Sequence, residues 1–192
     1  MQINLESKNL FNSEIVHTLP FDRNKGILRL KEGPNKVRFF SRKLRSVGIH
    51  WVNGISIRCP QSGCPLCIGG NVAKKRNFMK VIDRTSGEIK VLDFGSTIRE
   101  QLEDLVRDYA IDFPDPDRLF TDIDVLIRCR DKAGRPTYTL KPILVKGPVT
   151  DYERAKRVEE MALIETDSID LEEVVRPWTV ERIREFLDKK PF

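Results

Sequence analysis

Alternation of hydrophobic and polar residues runs through much of the chain from residue 26 onward and predicts a series of short β-strands. In NKVRFFSR, Val37 and Phe39 share one face of the predicted strand. The opposite face carries basic and aromatic side chains, namely Lys36, Arg38, Phe40 and Arg42. RSVGIHWVN, FMKVID and EIKVLDF continue the pattern, and we expect five to seven short strands in all.

Turn residues separate these runs and predict how neighbouring strands connect. Residues 32–34 (Glu-Gly-Pro) divide GILRLK from NKVRFFSR, and residues 85–87 (Thr-Ser-Gly) predict a hairpin. A last β pair, DIDVLIRCR and PTYTLKPILV, is joined across residues 132–134. Residues 54–76 break the alternation with prolines and glycines.

Three helices are predicted among and after the strands. Thr97 and Glu100 match a capping box, and an apolar stripe at the helical period accompanies it. The stripe consists of Ile98, Leu102, Leu105, Val106 and Tyr109. Thr150 with Glu153 predicts the start of a second helix, and residues 178–188 predict a third.

The fold class expected from this order is mainly β with α, as a small barrel or sandwich. A helix that interrupts the strand series is compatible with an OB-type barrel. We expect three parts: an N-terminal arm at 1–24, a core at 25–148 and a C-terminal helical segment at 149–192.

Composition limits the function classes. Of the 192 residues, 40% are hydrophobic and 33% are charged, which is typical of a globular protein in water. No apolar run approaches the roughly 18 residues that a membrane span needs. The N-terminus lacks the basic start and apolar centre of a signal peptide. We therefore expect a cytoplasmic protein with no membrane partner.

Charge is distributed unevenly along the chain. The net charge is +5, but residues 151–192 hold 8 Lys and Arg against 12 Asp and Glu. Residues 1–150 therefore hold 26 basic and 17 acidic side chains, a net charge of +9. A basic body suits a polyanionic partner, although a well-solvated surface can have the same composition.

Three of the four cysteines cluster beside a histidine, in the string HWVNGISIRCPQSGCPLCIGG. The spacing is H-x8-C-x4-C-x2-C, formed by His50, Cys59, Cys64 and Cys67. Nothing in the sequence indicates an oxidising compartment, so clustered thiols point to metal ligands rather than disulfides. Three cysteines and one histidine are a common tetrahedral set for zinc, and we expect one structural zinc ion.

The fourth ligand has two candidates. His50 completes a Cys₃His set, whereas Cys129 would complete a Cys₄ set. Cys129 continues the apolar face of Ile123, Val125 and Ile127, so a buried thiol is its simpler role and His50 is preferred.

Catalytic signatures are missing from the sequence. The zinc deaminase pattern needs H-x-E and P-C-x-x-C, but Val52 stands two residues after His50 and Gly63 precedes Cys64. H-E-x-x-H, G-x-S-x-G and the phosphate-binding G-x-x-x-x-G-K-[ST] do not occur. The sequence therefore gives no positive sign of an enzyme, although its many Asp and Glu residues leave a nuclease carboxylate cluster open.

Basic and aromatic residues recur together on the predicted strands, as in proteins that bind single-stranded nucleic acid. In such proteins basic side chains attract phosphates and aromatic rings stack on bases. The candidate contacts are Arg38, Phe40, Arg42, Lys43, Arg45, Trp51, Arg58, Lys74, Lys75, Arg76, Phe78, Lys80, Arg128, Arg130, Lys132, Arg135 and Tyr138.

Each candidate contact also has a structural interpretation. Phe78 shares a face with Lys80 and Ile82 and could belong to the core, as could Tyr138. Trp51 could pack beneath the metal loop instead of stacking on a base. The basic runs could protect strand edges, where Lys and Arg are common.

Taken in order, these strings resemble the zinc-containing single-stranded-DNA-binding proteins of tailed bacteriophages, the helix-destabilising type. The resemblance rests on NKVRFF, the His/Cys spacing that ends in CPLC, VIDRTSGEIKVLDFG with STI and REQL, and DIDVLIRCR with TYTLKP. It covers about residues 26–145.

The resemblance implies an OB-fold barrel with a small inserted zinc subdomain at about residues 50–72. It implies a protein without enzymatic activity that coats single-stranded DNA in replication, recombination and repair, in the cytoplasm of an infected bacterium. His50, Cys59, Cys64 and Cys67 correspond to that family's zinc ligands, and Arg38 with the residues beside the metal loop to its DNA cleft. Replication or recombination proteins would be partners through the C-terminal segment.

Two other functions remain open from the residues alone. One is a metal-dependent nucleic-acid enzyme such as a nuclease, which would show cleavage that depends on divalent ions. The other is a zinc-stabilised interaction subunit of a replication or transcription assembly. Stacking and phosphate contacts serve RNA as well as DNA, so the sequence does not separate the two nucleic acids.

Overall fold

Eight strands form one open, mixed sheet in the computed structural model, which describes residues 26–112, 123–144 and 150–189. The strands are β1 (Ile27–Leu28), β2 (Gly33–Phe39), β3 (Arg45–Val52), β4 (Ile55–Arg58), β5 (Lys74–Asp83), β6 (Ile89–Phe94), β7 (Asp124–Lys132) and β8 (Arg135–Ile143). The helices are α1 (Pro65–Ile68), α2 (Ser96–Asp112), α3 (Asp151–Glu165), α4 (Leu171–Val175) and α5 (Val180–Lys189). The expected arm at 1–24 lies outside the described residues.

The strand order is β1-β6-β5-β2-β7-β8, with β3 paired to both β5 and β4. Among the strand pairs of the described residues, only the short β1–β6 pair is parallel. The long strand β5 pairs with β3 through Lys74–Phe78 and with β2 through Val81–Asp83. The β3–β4 hairpin and the loop after it are therefore an insertion that leaves the sheet between β2 and β5.

The expected class, mainly β with α, is confirmed, but the described strands do not close into a barrel. Helix α2 occupies the outer edge of β8. The Gln101 side chain donates a hydrogen bond to the Tyr138 carbonyl (2.8 Å) and accepts one from the Leu140 N–H (3.0 Å). These are the backbone groups that a closing strand would use, so this helix side chain satisfies the edge instead.

Three clusters of buried side chains hold these elements together. The largest lies between the sheet and α2 and includes Val37 and Phe39, the pair predicted to share a buried face. A second lies between the opposite face and α4, and contains Phe78 and Val174. The third lies between the metal loop and α5, and is centred on Ile183.

Most predicted turns and helix positions are confirmed. Residues 85–87 join β5 to β6, and Ala133 and Gly134, both with positive φ, join β7 to β8. Thr150 caps α3 in a complete capping box with Glu153. The capping prediction at Thr97 is wrong, because α2 begins at Ser96 and Thr97 lies inside its first turn.

The C-terminal region contains one helix more than predicted. The helix expected at 178–188 is α5, and the short helix α4 precedes it. No helix in the described ranges is both long and apolar enough to cross a bilayer.

Candidate metal centre and adjoining groove

The four predicted ligands come together at the base of the β3–β4 hairpin. His50 lies on β3, Cys59 follows β4 directly, and Cys64 and Cys67 lie just before and within α1. The Cys64 and Cys67 sulfurs are 3.4 Å and 3.5 Å from His50 Nε2, and the Cys59 and Cys67 sulfurs are 3.6 Å apart. All four ligand atoms lie within 4.8 Å of one another. The cluster can therefore hold one metal ion.

These separations fit a tetrahedral zinc site. With Zn–S bonds of about 2.3 Å and Zn–N bonds of about 2.0 Å, tetrahedral ligand atoms lie roughly 3.5 to 3.8 Å apart. The observed 3.4 to 3.6 Å between donor atoms matches this spacing. Three soft thiols and one imidazole are also a donor set that zinc accepts.

Cys129 does not belong to this cluster. It lies on β7 opposite Gly33 on one side and Tyr138 on the other, and its side chain is buried there. The choice of His50 rather than Cys129 as the fourth candidate ligand agrees with this placement.

A tight turn brings the last two sulfurs together. Pro65 begins α1, where its fixed φ suits the first helical position. The Ile68 N–H donates to the Cys64 carbonyl (3.1 Å) and the Asn71 N–H donates to the Leu66 carbonyl (2.9 Å). Gly70 has a φ of +83°, which permits the chain to reverse after the helix.

Asn71 orients the histidine ligand, a role that the sequence did not reveal. Its Oδ1 lies 3.1 Å from Nδ1 of the fully buried His50 ring. A carbonyl oxygen there favours the proton on Nδ1 and leaves the Nε2 lone pair directed at the sulfurs. Its only signal in the sequence is its place after the Gly69-Gly70 turn.

The thiols differ in their affinity for protons. Burial acts to raise the pKa of Cys64, but hydrogen bonds from the backbone N–H groups of Cys67 and Leu66 bring it below its usual value. Desolvation, together with the neighbouring Cys59 and Cys64 sulfurs, raises the pKa of Cys67 to about 12. A divalent cation stabilises adjacent thiolates, because the thiolate is the form that binds metal.

An open groove of about 820 Å³ lies beside this subdomain, where the β3–β4 hairpin meets β1, the start of α2 and β8. Trp51, which is 54% exposed, and Tyr138 are two of its aromatic side chains. Arg29, Arg58 and Arg76 also line it. Because side chains alternate along a strand, Trp51 faces the groove while its neighbour His50 faces the metal cluster.

The groove borders a part of the chain that contains no acidic residue. Between residues 33 and 82 there are ten Lys and Arg and no Asp or Glu. This stretch includes β2, the metal loop and most of β5. Such a run could have drawn attention to the region from sequence alone. Of its ten basic side chains, Arg58 and Arg76 line the groove, together with Arg29 and the acidic Asp93.

Five of the seventeen predicted nucleic-acid contacts line the groove: Trp51, Arg58, Arg76, Phe78 and Tyr138. Phe78 is only 4% exposed and packs with Val47 and Val174, so it is a core residue and not a stacking platform in this conformation. Arg76 is paired with Asp93 at 2.8 Å, and Arg58 is buried. Sequence reasoning missed Arg29, Ser96 and Thr97, which also line the groove.

Three predicted contacts instead pair with carboxylates of the C-terminal segment. Arg38 pairs with Asp124 on β7 (3.0 Å) and with Glu160 on α3 (2.7 Å). Arg45 pairs with Glu172, and Lys80 pairs with Asp167 at 2.5 Å. These three side chains lie against the C-terminal segment, because they pair with acidic residues there, and they do not line the groove.

The other predicted contacts are spread over the surface. Phe40, Arg42 and Lys43 lie at the connection from β2 to β3, and Lys74 and Lys75 begin β5. Arg128, Arg130, Lys132 and Arg135 are exposed on β7 and β8. Phe40 is half-buried, and the structure does not bring this set into the groove.

Comparison with known proteins assigns no family to this chain. No protein-family model matches the chain, and no curated protein matches it.

Proposed function

We propose that this protein binds single-stranded DNA in the groove beside the metal centre, without sequence preference. The observation that carries the proposal is the groove, where the exposed Trp51 and the half-buried Tyr138 occur with Arg29, Arg58 and Arg76. A cationic groove that contains aromatic rings is the combination that single-strand binders use.

Each part of the groove supplies a separate interaction. Arg29, Arg76 and the amino end of α2 attract phosphates, because a helix N-terminus presents free backbone N–H groups. Trp51 and Tyr138 stack on bases, which tolerates every base because each has a π-face. In a duplex the bases are already stacked and their faces are not available, so single strands are preferred.

The metal ion serves as a scaffold in this proposal. Four protein ligands fill a tetrahedral zinc shell and leave no position for water or substrate, as in structural sites. The ion would fix the base of the hairpin that carries Trp51. The protein has no catalytic role in this proposal, and cleavage of the bound strand would overturn that part.

We interpret the fold as an OB-type barrel left open at β8. Strands β6, β5, β2, β7 and β8 are adjacent in the sheet in that order, and α2 connects β6 to β7. OB folds are partly open five-stranded barrels that bind oligonucleotides across one face. With the resemblance to phage proteins, this supports a role in coating single strands during replication, recombination or repair in a bacterial cytoplasm, with partner proteins at the C-terminal segment.

Fluorescence anisotropy of a labelled oligo-dT of about 20 nucleotides, titrated with protein at several salt concentrations, tests the proposal. Two phosphates neutralised by Arg29 and Arg76 predict a slope of log K against log salt of about −1.4. Unlabelled single strands should displace the probe and duplex should not. Equal competition by duplex, or binding that salt does not weaken, would refute the proposal, and stronger competition by RNA would redirect it to RNA.

A further inference from the structure

The C-terminal segment supplies the apolar wall of the metal subdomain. Ile183 on α5 is fully buried among the metal-loop residues Cys59, Cys64 and Leu66. Trp178, Phe186 and Leu187 pack around the same cluster. Within this wall the Trp178 and Phe186 rings pack edge to face, with their centroids 6.0 Å apart. The Arg182 Cζ lies 4.1 Å from the centroid of the Trp178 ring.

Arg58 ties this wall to the strand that leads into the metal site. Its buried guanidinium donates hydrogen bonds to the Val174 and Arg176 carbonyls, each at 2.7 Å. In return the Trp178 N–H donates to the Arg58 carbonyl at 3.1 Å. Arg58 immediately precedes Cys59 in the chain. A displacement of Cys59 would therefore also displace Arg58 and its hydrogen bonds to the C-terminal segment.

The same segment also forms part of the groove. Val174 on α4 lines it together with Arg58. The segment 170–189, called the C-terminal latch below, therefore contacts the metal subdomain through α5 and the groove through α4.

We infer that metal binding and docking of the C-terminal latch are coupled: the metal-bound loop is the surface on which α5 packs, and loss of the metal releases the latch. A loop this short has little core of its own, and small metal sites of this kind hold their fold through the ion. Two of the four ligands, Cys59 and Cys64, form part of the surface beneath Ile183. The inference does not rest on nucleic-acid binding.

A single-tryptophan variant reports on the latch directly. The chain has two tryptophans, so Trp51→Phe leaves Trp178 as the only one. The variant is compared with one equivalent of Zn²⁺ and after removal of metal by a chelator. Coupling predicts a red shift of Trp178 emission on metal removal, and at least tenfold faster amide hydrogen exchange in Leu171–Val175 and Val180–Lys189.

Strands β7 and β8 provide the internal control, because they lie away from the metal loop in the sheet order. Their exchange should change by less than twofold. Unchanged emission and protection of the latch in the metal-free protein would overturn the inference. Equal loss of protection in β7 and β8 would overturn it too, since the metal would then stabilise the whole fold.

Coupling is reciprocal, so weakening the latch must weaken metal binding by the same factor. Ile183→Ala removes the buried side chain that touches the metal loop, and zinc affinity measured by chelator competition should fall at least tenfold. Val158→Ala on the exposed face of α3 is the matched control and should leave the affinity within twofold. An Ile183→Ala protein that binds zinc as tightly as the parent chain would contradict the coupling.

Discussion

At the scale of single residues, neighbouring positions on β3 serve different sites. His50 faces three sulfurs and Trp51 faces the groove, because consecutive strand residues point to opposite faces. The sequence predicted this cluster, because four donors within eighteen positions are close enough along the chain to be brought together by local turns. It did not predict Asn71, since an asparagine after a glycine turn has no spacing signature.

Loss of one thiol should abolish the metal site. Cys59→Ser leaves three ligands, and we expect bound zinc to fall from about one equivalent to well below half, because the shell is no longer complete. Metal content after gel filtration measures this. Cys129→Ser is the matched control and should keep its zinc; loss of zinc from that variant instead would show that Cys129 is a ligand.

Removing the orienting amide should weaken the site without destroying it. Asn71→Ala takes away the partner of His50 Nδ1, and second-layer losses of this kind cost about 10- to 100-fold in metal affinity. Competition with a coloured chelator would measure the change. An unchanged affinity would mean that the His50 ring is held by its own burial.

Stacking of a base on Trp51 should be detectable as a loss of oligo-dT affinity when that ring is removed. Trp51→Ala should weaken oligo-dT binding by about 1–3 kcal/mol, the usual contribution of one stacked aromatic. Tyr152→Ala is the control, because Tyr152 is 76% exposed on α3 and does not line the groove. Equal losses in both variants would show that exposed aromatics act without the groove.

At the scale of elements, local patterns predicted what local contacts determine. The β5–β6 and β7–β8 hairpins and the α3 capping box follow from turn and cap chemistry within a few residues. The open edge of β8 did not follow, because Gln101 reaches it from a helix 37 residues earlier. Phe78 was ambiguous because its burial depends on α4, nearly a hundred residues later.

An ion-pair network joins α3 to the sheet and predicts acid sensitivity. Burial acts to raise the pKa of Asp124, but Arg84 and Arg38 lower it below its ordinary value. A carboxyl with a lowered folded pKa adds stability above its unfolded pKa of about 3.9, and that stability is lost as pH falls through the folded value. Below about pH 4 the network should therefore weaken.

Asp124→Asn tests this network. The change leaves Glu160 as the remaining carboxylate shared by Arg38 and Arg84, and we expect about 2 kcal/mol of destabilisation at pH 7 that shrinks toward pH 3. Urea unfolding at the two pH values measures both effects. Asp151→Asn, at a highly exposed pair with Arg154, should change stability by less than about 0.5 kcal/mol; a difference between parent and Asp124→Asn that is constant with pH would contradict the account.

At the scale of the whole molecule, the uneven distribution of charge predicted an electrostatic attraction, but not which residues it would join. The acidic C-terminal segment packs its carboxylates against Arg38, Arg84 and Lys80 of the sheet. The net charge of −4 in residues 151–192 and of +9 in residues 1–150 fits that pairing. Composition does not specify, however, which helix residue pairs with which strand residue. Arg38 was therefore predicted at the DNA site, whereas the structure pairs it with Asp124 and Glu160.

The most direct test of the central claim is Trp51 fluorescence during titration with oligo-dT. Trp178→Phe leaves Trp51 as the only tryptophan and keeps a ring next to Phe186. We predict saturable quenching that follows the anisotropy of the labelled strand and is reversed by salt, because the bound base stacks on Trp51 in the groove. Binding seen by anisotropy while Trp51 emission stays constant would place the strand elsewhere and contradict the claim, as would the absence of binding.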